Sequence, residues 1–400
     1  MKHASAIIFL LFTIVVSAQD SVYVNRRLTE NDISVLFSYY TQDGDHSAVT
    51  GGNGTEKLQI YAPSLSFSHE IDSTHTILFD AGVDLISSAS TDRIDYNMSS
   101  ASYHDFHFHG TAGFSHYFKK PRTELGMTGS YDLESDYMSG GVHLWMYHTD
   151  KKAMTSYYAG LETYFDDLRW GRPYFVDKVP LTLVYPSELR DTSWFGIYMR
   201  YSYNLSLGLE RVINKRMTIG FFPGINIQTG LLSTPFHRVY FIDEDKPKVE
   251  NLPARRIKIP LGLKFNAYIG SSFILNTFYR FYADDFDIRS STLEIETYYK
   301  VSPYFTPSVS LRFYQQTGSE YFSPYKEHLL SETFYTSDYD LSAFYSMKAG
   351  IGFRYSPYKR MFSGWSFDEI NLVYNYYRRS DGLQAHFIST FFGIKGLRGR

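Results

Sequence analysis

From Ile33 to Ile394 the chain repeats one pattern: stretches of roughly ten to fifteen residues alternate apolar and polar side chains, and the links between them alternate short and long. The stretch from Ile257 to Ala267 is the clearest, because its odd positions are apolar and its even positions are polar, Gly or Pro. A period of two gives a β-strand one apolar and one polar face, whereas an α-helix would scatter both sets around its circumference. The pattern therefore predicts strands along nearly the whole chain.

Strand length and aromatic content separate a membrane barrel from a soluble β-sandwich. Strands in soluble proteins usually run about five or six residues, whereas a tilted strand that crosses a bilayer needs roughly nine to eleven. The chain also contains 36 Tyr, 32 Phe and 4 Trp, and aromatic rings concentrate at the two membrane interfaces of a barrel. Within lipid only a closed barrel satisfies every backbone N–H and C=O group of the strands. The sequence therefore predicts an all-β, transmembrane, antiparallel β-barrel.

Face alternation and link length together predict the number of strands. Links after even-numbered strands are short and rich in turn formers or basic residues, as expected of periplasmic turns, and links after odd-numbered strands are longer, as expected of extracellular loops. Fourteen strands remain an alternative if the short links at 133–137 or 284–287 are bulges. The sixteen predicted strands are approximately 33–41, 58–70, 76–88, 102–117, 123–132, 138–148, 154–166, 194–210, 217–230, 255–268, 273–283, 288–300, 305–316, 342–356, 365–378 and 383–394.

The first residues have the features of an export signal. Lys2 precedes an apolar stretch, 6–16, that is too short to span a membrane as a helix, and the small residues of 16–18 form a cleavage site. There is no cysteine, so disulfides and a lipoprotein anchor are excluded. We therefore predict export to the outer membrane of a Gram-negative bacterium, with a signal peptide at 1–18, a short periplasmic segment at 19–32, the barrel at 33–394 and a C-terminal tail at 395–400.

Charge and composition bound the partners. The formal net charge is −3 at pH 7, and a nearly balanced charge argues against a nucleic-acid partner. The expected partners are outer-membrane lipid and lipopolysaccharide, small solutes and, during biogenesis, the barrel-assembly machinery. The last predicted strand, with Phe391 and Phe392, resembles the aromatic terminal strand that this machinery recognises. No cofactor and no metal ion is predicted.

Six segments carry a family resemblance over nearly the whole mature chain: 36–56 (LFSYYTQDGDHSAVTGGNGTE), 230–241 (GLLSTPFHRVYF), 278–285 (FYRFYADD), 321–325 (YFSPY), 337–342 (SDYDLS) and 378–386 (RRSDGLQAH). They are similar to segments of an uncharacterised family of Gram-negative outer-membrane proteins, domain of unknown function 3570. The resemblance implies the barrel fold and the outer-membrane compartment, and it supplies no catalytic residues. Segment 103–110 departs from the family's pattern, so we expect its three histidines to be peculiar to this chain.

Charged residues in the middle of the strands are expected to face the barrel interior. A charge that faces lipid near the midplane costs roughly 2 to 4 kcal/mol, so the apolar face of each strand should contact lipid. A barrel of about sixteen strands can enclose an aqueous channel, whose charged wall then selects solutes. The basic members of the set in strands ten to fourteen should favour anions. The predicted lumen-facing residues are Asp80, Asp84, Lys258, Lys264, Arg280, Glu294, Glu296, Arg312, Lys348, Arg354 and Arg379.

The long link at 231–254 contains an unusual segment, STPFHRVYF, that mixes Pro, aromatic and basic residues. Two interpretations are open for Pro235, Phe236, His237 and Arg238. They fold into the lumen and constrict it, or they pack on the inner wall as a structural cap.

Two groups of side chains have the chemistry of metal ligands. Carboxylates on a Gly-rich loop suit calcium, and imidazoles on one strand face suit zinc or copper. The spacing of the first group does not fit a twelve-residue calcium loop, and no further ligands are identifiable for the second. A solvated loop and lumen-facing polar residues are the preferred interpretations of the two groups, which are Asp43, Asp45 and Glu56, and His104, His107 and His109.

Enzyme chemistry has weak support in the sequence. Serine and histidine occur together only as loose pairs, His386 with Ser389 and Ser233 with His237, and there is no G-x-S-x-G elbow. No catalytic residue is therefore predicted. The leading hypothesis is a porin-like channel for the passive passage of small polar or anionic solutes. The alternatives are a structural or surface-interaction barrel with a plugged lumen, and a lipid-modifying barrel enzyme.

Overall fold

The computed structural model describes residues 30–88, 104–134, 137–168, 198–234, 237–357, 359–361 and 364–397. Within them sixteen long strands pair antiparallel with their neighbours, and the first pairs with the last, so the sheet closes into a barrel. The barrel strands are β1 (Glu30–Asp43), β2 (Leu58–Glu70), β3 (His75–Ser88), β4 (His104–Phe118), β5 (Thr123–Glu134), β6 (Tyr137–Thr149), β7 (Thr155–Asp167), β8 (Met199–Asn214), β9 (Met217–Gly230), β12 (Arg255–Ile269), β13 (Phe273–Asp284), β14 (Arg289–Tyr299), β15 (Phe305–Gln316), β16 (Phe344–Tyr355), β18 (Trp365–Arg379) and β19 (Gln384–Leu397). Three shorter strands complete the set: β10 (Arg238–Phe241), β11 (Glu244–Val249) and β17 (Lys359–Arg360).

The predicted sixteen-stranded antiparallel barrel is confirmed, and the alternative of fourteen strands is wrong. The strands that flank link 135–136 pair with each other up to the link, where Glu134 is opposite Tyr137. The strands that flank link 285–288 do the same, with Ala283 opposite Arg289. These links therefore join separate strands and are not bulges within one strand.

Pairing extends beyond the predicted limits of the barrel, 33 and 394. β1 begins at Glu30 and β19 ends at Leu397, and the two strands remain in register there. The residues at 30–32 are all polar, so alternation could not mark them as a strand. The predicted signal peptide, 1–18, lies outside the described residues.

Along much of the barrel, one face of a strand is crowded and the other is open. In β3, Asp84 is 1% exposed while the adjacent Leu85 is 45% exposed. A carboxylate is more deeply buried than the leucine beside it when its face encloses the interior and the leucine faces lipid. In β12 the same alternation exposes Leu263, whereas Lys264 on the opposite face forms an ion pair with Glu210. The polar positions of the strands therefore face inward.

The longest of the described links lie together at one end of the barrel and most links at the other end are short, as predicted. At one end the links 71–74, 119–122, 150–154, 215–216, 270–272 and 300–304 are short, and at the other end the links include 44–57, 231–254 and 317–343. In one short link, Asp72 accepts hydrogen bonds from the backbone N–H groups of Thr74 and His75. In another, Gly270 has φ +62°, a left-handed conformation that glycine adopts without steric cost.

The long loops contain folded structure that alternation does not predict. Hairpin β10–β11 lies in 231–254, and short 3-10 helices span Ala48–Thr50 and Tyr339–Leu341. Segments 44–57, 231–254 and 317–343, as far as they are described, form what we call the loop cap. The cap has its own core, because Phe241 and Thr336 are fully buried and the ring of Phe241 packs edge-on to Tyr335 at 5.0 Å. No helix in the described part of the chain is long and apolar enough to cross a membrane.

Candidate functional site: two charged walls and a loop cap

The structure places all eleven predicted lumen-facing charged residues on the inward face. Most of them alternate with apolar residues that are exposed on the outer face, such as Met347 and Ile351 on either side of the inward positions in β16. Their surroundings differ, however, between the two sides of the barrel. Sequence alternation gave no information on the partners of these residues.

One side of the interior is predominantly basic. We define the basic wall as the inward face of β12 to β16, where seven basic side chains accompany three carboxylates, Asp284, Glu294 and Glu296. Several of the cations pair with acids: Arg256 Nε lies 2.9 Å from Asp284, and Arg312 lies 3.2 Å from Glu294. The basic members are Arg256, Lys258, Lys264, Arg280, Arg312, Lys348 and Arg354.

Three cations of the basic wall lack a carboxylate partner. Among the described residues, no carboxylate oxygen lies within ion-pair distance of Lys258, Arg280 or Lys348. Arg280 instead lies over the ring of Phe278, 5.4 Å from its centroid, and remains exposed although it faces inward. An exposed guanidinium on the inner face requires space for solvent inside the barrel, so Arg280 contacts the lumen.

The other side of the interior is acidic. We define the acidic wall as the inward face of β3 to β7, five strands that contain no Lys and no Arg. Most of its carboxylates have partners within the wall or beside it. Asp80 accepts a hydrogen bond from Thr111 at 3.0 Å, and Asp166 pairs with Arg200 of the neighbouring β8 at 2.6 Å. The acidic members with described side chains are Asp80, Asp84, Glu124, Asp132, Glu134, Glu162 and Asp166.

Histidines pair with several carboxylates of the acidic wall. The Nδ1 atom of buried His107 lies 2.8 Å from Asp84, and its Nε2 atom lies 3.7 Å from Asp132. His143 lies 3.8 Å from Glu162 in the same way. This arrangement links β3, β4 and β5 through one imidazole and holds two carboxylates inside a membrane-spanning sheet.

The two walls lie on opposite sides of the barrel. Strands β5 and β14, at the middle of each wall, are seven pairings apart in a ring of sixteen. The interior therefore has a transverse separation of charge. Our sequence reasoning missed the acidic wall, although a count of Lys and Arg strand by strand would have revealed it.

The loop cap contacts the inner wall at the mouth of the barrel. Inward-facing Arg379 donates hydrogen bonds to the carboxylates of Asp340 and Asp381 and, at 3.0 Å, to the carbonyl oxygen of Tyr339. Gln316, the last residue of β15, donates a hydrogen bond to the carbonyl oxygen of Asp340 at 2.9 Å. The 317–343 loop therefore folds toward the lumen, and Arg379 is a structural anchor for it.

Close packing joins the three segments of the cap. The ring of His46 stacks on Tyr339 with centroids 3.8 Å apart, and burial raises the pKa of the Tyr339 hydroxyl. A Cβ atom on Gly52 would lie 2.8 Å from the carbonyl oxygen of Ser337, and Gly52 has φ +84°. Only glycine allows the two loops to approach so closely.

The predicted constriction segment lies inside this cap. His237 and Arg238 are 3% and 6% exposed, while Pro235 and Phe236 lie outside the described residues. His237 faces Glu250 and Asp338. Burial opposes ionisation of Glu250, but its pKa still lies below the ordinary value, because His237 and hydrogen bonds from Thr336 and the Thr234 N–H more than offset the burial.

The metal-ligand groups considered from sequence do not assemble. Asp43 lies 3.7 Å from Lys57, and Asp43, Asp45 and Glu56 do not converge. The His107 and His109 rings are 5.4 Å apart, His107 is hydrogen-bonded to Asp84, and the side chain of His104 is not described. In the described residues one group of three does bring ligand atoms within 4.8 Å of one another: His237, Glu250 and Asp338.

The structure places the members of one predicted Ser–His pair on opposite faces of a strand. In β19, Ile388 and Phe392 are exposed on the outer face, so His386 shares that face while Ser389 faces inward. Strand alternation thus separates this pair. His386 contacts the hydroxyl of Tyr374 at 2.8 Å, and the hydroxyl of Ser233 accepts a hydrogen bond from the Leu252 N–H at 2.8 Å.

A closed sixteen-stranded barrel with a lipid-exposed apolar face and a charged interior is a β-barrel of the outer-membrane type. The chain belongs to the family described as Protein of unknown function (DUF3570), whose model matches residues 95–387. No curated protein matches the chain in sequence.

Solved structures similar to this chain include outer-membrane proteins. OpdK of Pseudomonas aeruginosa with vanillate is 8% identical, with a TM-score of 0.42 over 92% of this chain and 98% of that chain. A bacterial polysaccharide outer membrane secretin is 9% identical, with a TM-score of 0.46 over 94% and 100%. The deltaS2 mutant of TodX, a monoaromatic hydrocarbon channel, is 10% identical, with a TM-score of 0.38 over 93% and 90%. At these TM-scores the likenesses carry no argument about function.

Proposed function

We propose that this protein is a porin-like channel of the Gram-negative outer membrane that lets small polar or anionic solutes pass by diffusion. The observation that supports the proposal is the set of inward-facing cations that have no carboxylate partner among the described residues, Lys258, Arg280 and Lys348. Burying an uncompensated charge in a dry interior is very costly. These side chains therefore favour an interior that contains water and mobile anions.

The arrangement of the two walls adds to this argument. Charges of one sign on each side of a narrow aqueous space produce a field across it, and such a field raises the local concentration of counter-ions and orients dipolar solutes. Paired carboxylates on the acidic wall attract cations weakly, whereas the basic wall offers unpaired cations. We therefore expect the channel to prefer anions.

Planar-bilayer recordings test this function directly. Purified protein should insert with ion-conducting steps, and its reversal potential in a KCl gradient should show an anion preference. The triple variant Lys258→Gln, Arg280→Gln, Lys348→Gln should lower the anion-to-cation permeability ratio by roughly threefold or more. A matched control, Lys120→Gln, Lys151→Gln, Lys152→Gln, removes the same charge from exposed short links and should leave selectivity unchanged.

Two outcomes would contradict the proposal. Insertion without ion current would exclude a channel, and equal effects of the two triple variants would show that the basic wall does not select solutes. A second candidate function, a surface-interaction barrel with a plugged lumen, is favoured by the inward fold of the 317–343 loop onto Arg379. A plugged barrel predicts insertion without ion current.

Several further features are inferred with this function. Lipid and lipopolysaccharide contact the outer apolar face, and the barrel-assembly machinery inserts the chain after a signal peptide, 1–18, is removed. The protein is inferred not to be an enzyme. Assays of phospholipid and lipopolysaccharide hydrolysis with the purified barrel test that inference, because sustained turnover would contradict it.

A further inference from the structure

Three potential metal ligands converge at the centre of the loop cap. His237 precedes β10 and Glu250 follows β11, and the Glu250 N–H donates to the His237 carbonyl at 3.1 Å, so the hairpin places the two side chains together. Asp338 comes from the 317–343 loop. The Nδ1 atom of His237 lies 3.5 Å from Glu250 Oε1 and 3.8 Å from Asp338 Oδ2.

The two carboxylates are held in place by their own hydrogen bonds. Glu250 accepts from the Thr336 hydroxyl at 2.5 Å and from the Thr234 N–H at 2.6 Å. The same Thr336 hydroxyl accepts from the Asp338 N–H at 3.0 Å, and Asp338 Oδ1 accepts from the Asp340 N–H at 2.9 Å. Outer hydrogen bonds of this kind fix the direction of metal ligands. They leave Oδ2 of Asp338 directed toward His237.

The distances suit a small divalent ion. Ligands at about 2.0–2.1 Å from a tetrahedral zinc ion lie about 3.3–3.4 Å from one another, so the two separations measured from His237 need only small side-chain shifts. Imidazole nitrogen with carboxylate oxygen is a zinc-type ligand set, whereas calcium takes six to eight oxygen ligands. The side chains of His237 and Glu250 are 4% and 2% exposed and that of Asp338 is 13% exposed, so an ion would enter past Asp338.

We propose that His237, Glu250 and Asp338 bind one divalent transition-metal ion of the zinc class, which ties hairpin β10–β11 to the 317–343 loop. Three protein ligands leave a fourth position for water. The ion neutralises the two buried carboxylates and makes the closed arrangement of the cap depend on metal. The proposal is independent of whether the barrel conducts.

The alternative is that His237 bridges the two carboxylates directly, without metal. Binding measurements separate the two. Folded full-length protein without a polyhistidine tag is stripped with chelator and titrated with ZnCl2 by calorimetry, with CaCl2 and MgCl2 as comparison ions. We expect one zinc per chain, and we expect Co2+ in place of zinc to give the visible absorption of a four-coordinate nitrogen/oxygen site.

Ligand variants and a matched histidine variant localise the site. His237→Ala and the conservative Asp338→Asn should each weaken zinc binding by roughly 100-fold or more, since even loss of an outer hydrogen bond costs about 10- to 100-fold. His75→Ala removes a histidine that pairs with Asp72 in a short link and should bind zinc like the wild type. Heat-modifiable migration on gels confirms that each variant has a folded barrel.

A protease readout tests the structural consequence. Lys326 is exposed in the 317–343 loop, and zinc well above its dissociation constant should slow tryptic cleavage there about tenfold or more in the wild type and not in the ligand variants. No zinc binding by the wild type, or equal zinc binding by the wild type and His237→Ala, would overturn the proposal. Zinc binding that leaves the rate of cleavage at Lys326 unchanged would show that the ion does not join hairpin β10–β11 to the 317–343 loop.

Discussion

The acidic and basic walls have the same secondary structure and opposite chemistry. On the acidic wall, carboxylates are hydrogen-bonded to histidines, hydroxyls and one arginine, and the most buried of them, Asp84, is 1% exposed. On the basic wall Lys258, Arg280 and Lys348 have no carboxylate partner among the described residues. The comparison indicates that one wall uses its charges mainly for stability, whereas under the proposed channel function the other presents them to solutes.

The largest expected effect is on stability at the acidic wall. Asp84→Asn leaves buried His107 without its nearest carboxylate, at 2.8 Å, and should lower the free energy of unfolding by about 3 kcal/mol. Lys264→Gln breaks a half-buried pair on the other wall, with side chains 28% and 29% exposed, and should cost less than about 1 kcal/mol. Urea unfolding in lipid vesicles, followed by tryptophan fluorescence, measures both. Equal losses of unfolding free energy in the two variants would contradict the difference between the two walls.

The next effect is on selectivity at the basic wall. Reversal of the three unpaired cations, Lys258→Glu, Arg280→Glu and Lys348→Glu, should change the sign of the reversal potential in a KCl gradient and lower the anion-to-cation permeability ratio by roughly tenfold. The change is larger than for the Gln variant because it adds three negative charges. A channel that still prefers anions would show that these side chains do not contact the permeating ions.

A smaller and opposite effect is expected from the acidic wall. Asp80→Asn with Glu162→Gln removes two inward carboxylates that already have partners, Thr111 for Asp80 and His143 for Glu162. Because hydrogen-bonded carboxylates attract mobile ions less strongly, we expect the anion preference to rise only about twofold. Bilayer recordings under the same salt gradient measure the change, and a fall in anion preference would contradict the assignment of this wall.

The smallest effect concerns the short links and pH. Hydrogen bonds from Thr74 and His75 hold the pKa of Asp72 below its usual value, and a bond from the Met154 N–H does the same for Asp150. A lowered pKa gives stabilisation that is complete above the ordinary aspartate pKa and is lost as the pH falls through the lowered value. The link 270–272 of the basic wall contains no carboxylate.

Amide hydrogen exchange, corrected for intrinsic rates, measures this difference. Protection at Thr74 and Met154 should persist at pH 4 and decrease toward pH 2, and it should be lost at Thr74 in Asp72→Ala at every pH. Protection of Lys300, whose N–H donates to the Ser272 carbonyl, should not change over the same range. A parallel loss at both sets of amides would indicate unfolding of the whole barrel.

Most of the barrel strands could be predicted because the alternation of apolar and polar side chains is a local pattern in the sequence. Alternation between Ile257 and Ala267 is readable in the sequence, and membrane lipid enforces it in every strand. Residues 30–32 are all polar and do not alternate, so the pattern did not predict them as part of a strand, although they pair with β19. Hairpin β10–β11 was missed for a related reason: segment 244–249 is charged and contains Pro247, so it resembles an ordinary loop.

The functional groups could be predicted only in part. Alternation placed Lys258 and Lys348 on the inward face. It could not tell that Lys264 has an acidic partner in β8, whereas Lys258 and Lys348 have none in the part of the chain that the structure describes. The cluster of His237, Glu250 and Asp338 was not predicted, since Asp338 lies far along the chain from the other two. Neither the pairing of β12 with β9 nor the packing of the cap loops is encoded in a local pattern.

The sequence by itself determined the strands, their two faces and the alternation of short and long links, because the two-residue period of a β-strand and the cost of a charge in lipid act on each segment separately. The tertiary structure decided which charges have partners, that the acidic and basic walls lie opposite one another, and that two loops bring a histidine and two carboxylates together. Those relations depend on closure of the sheet and on contacts between distant segments, which no single strand specifies.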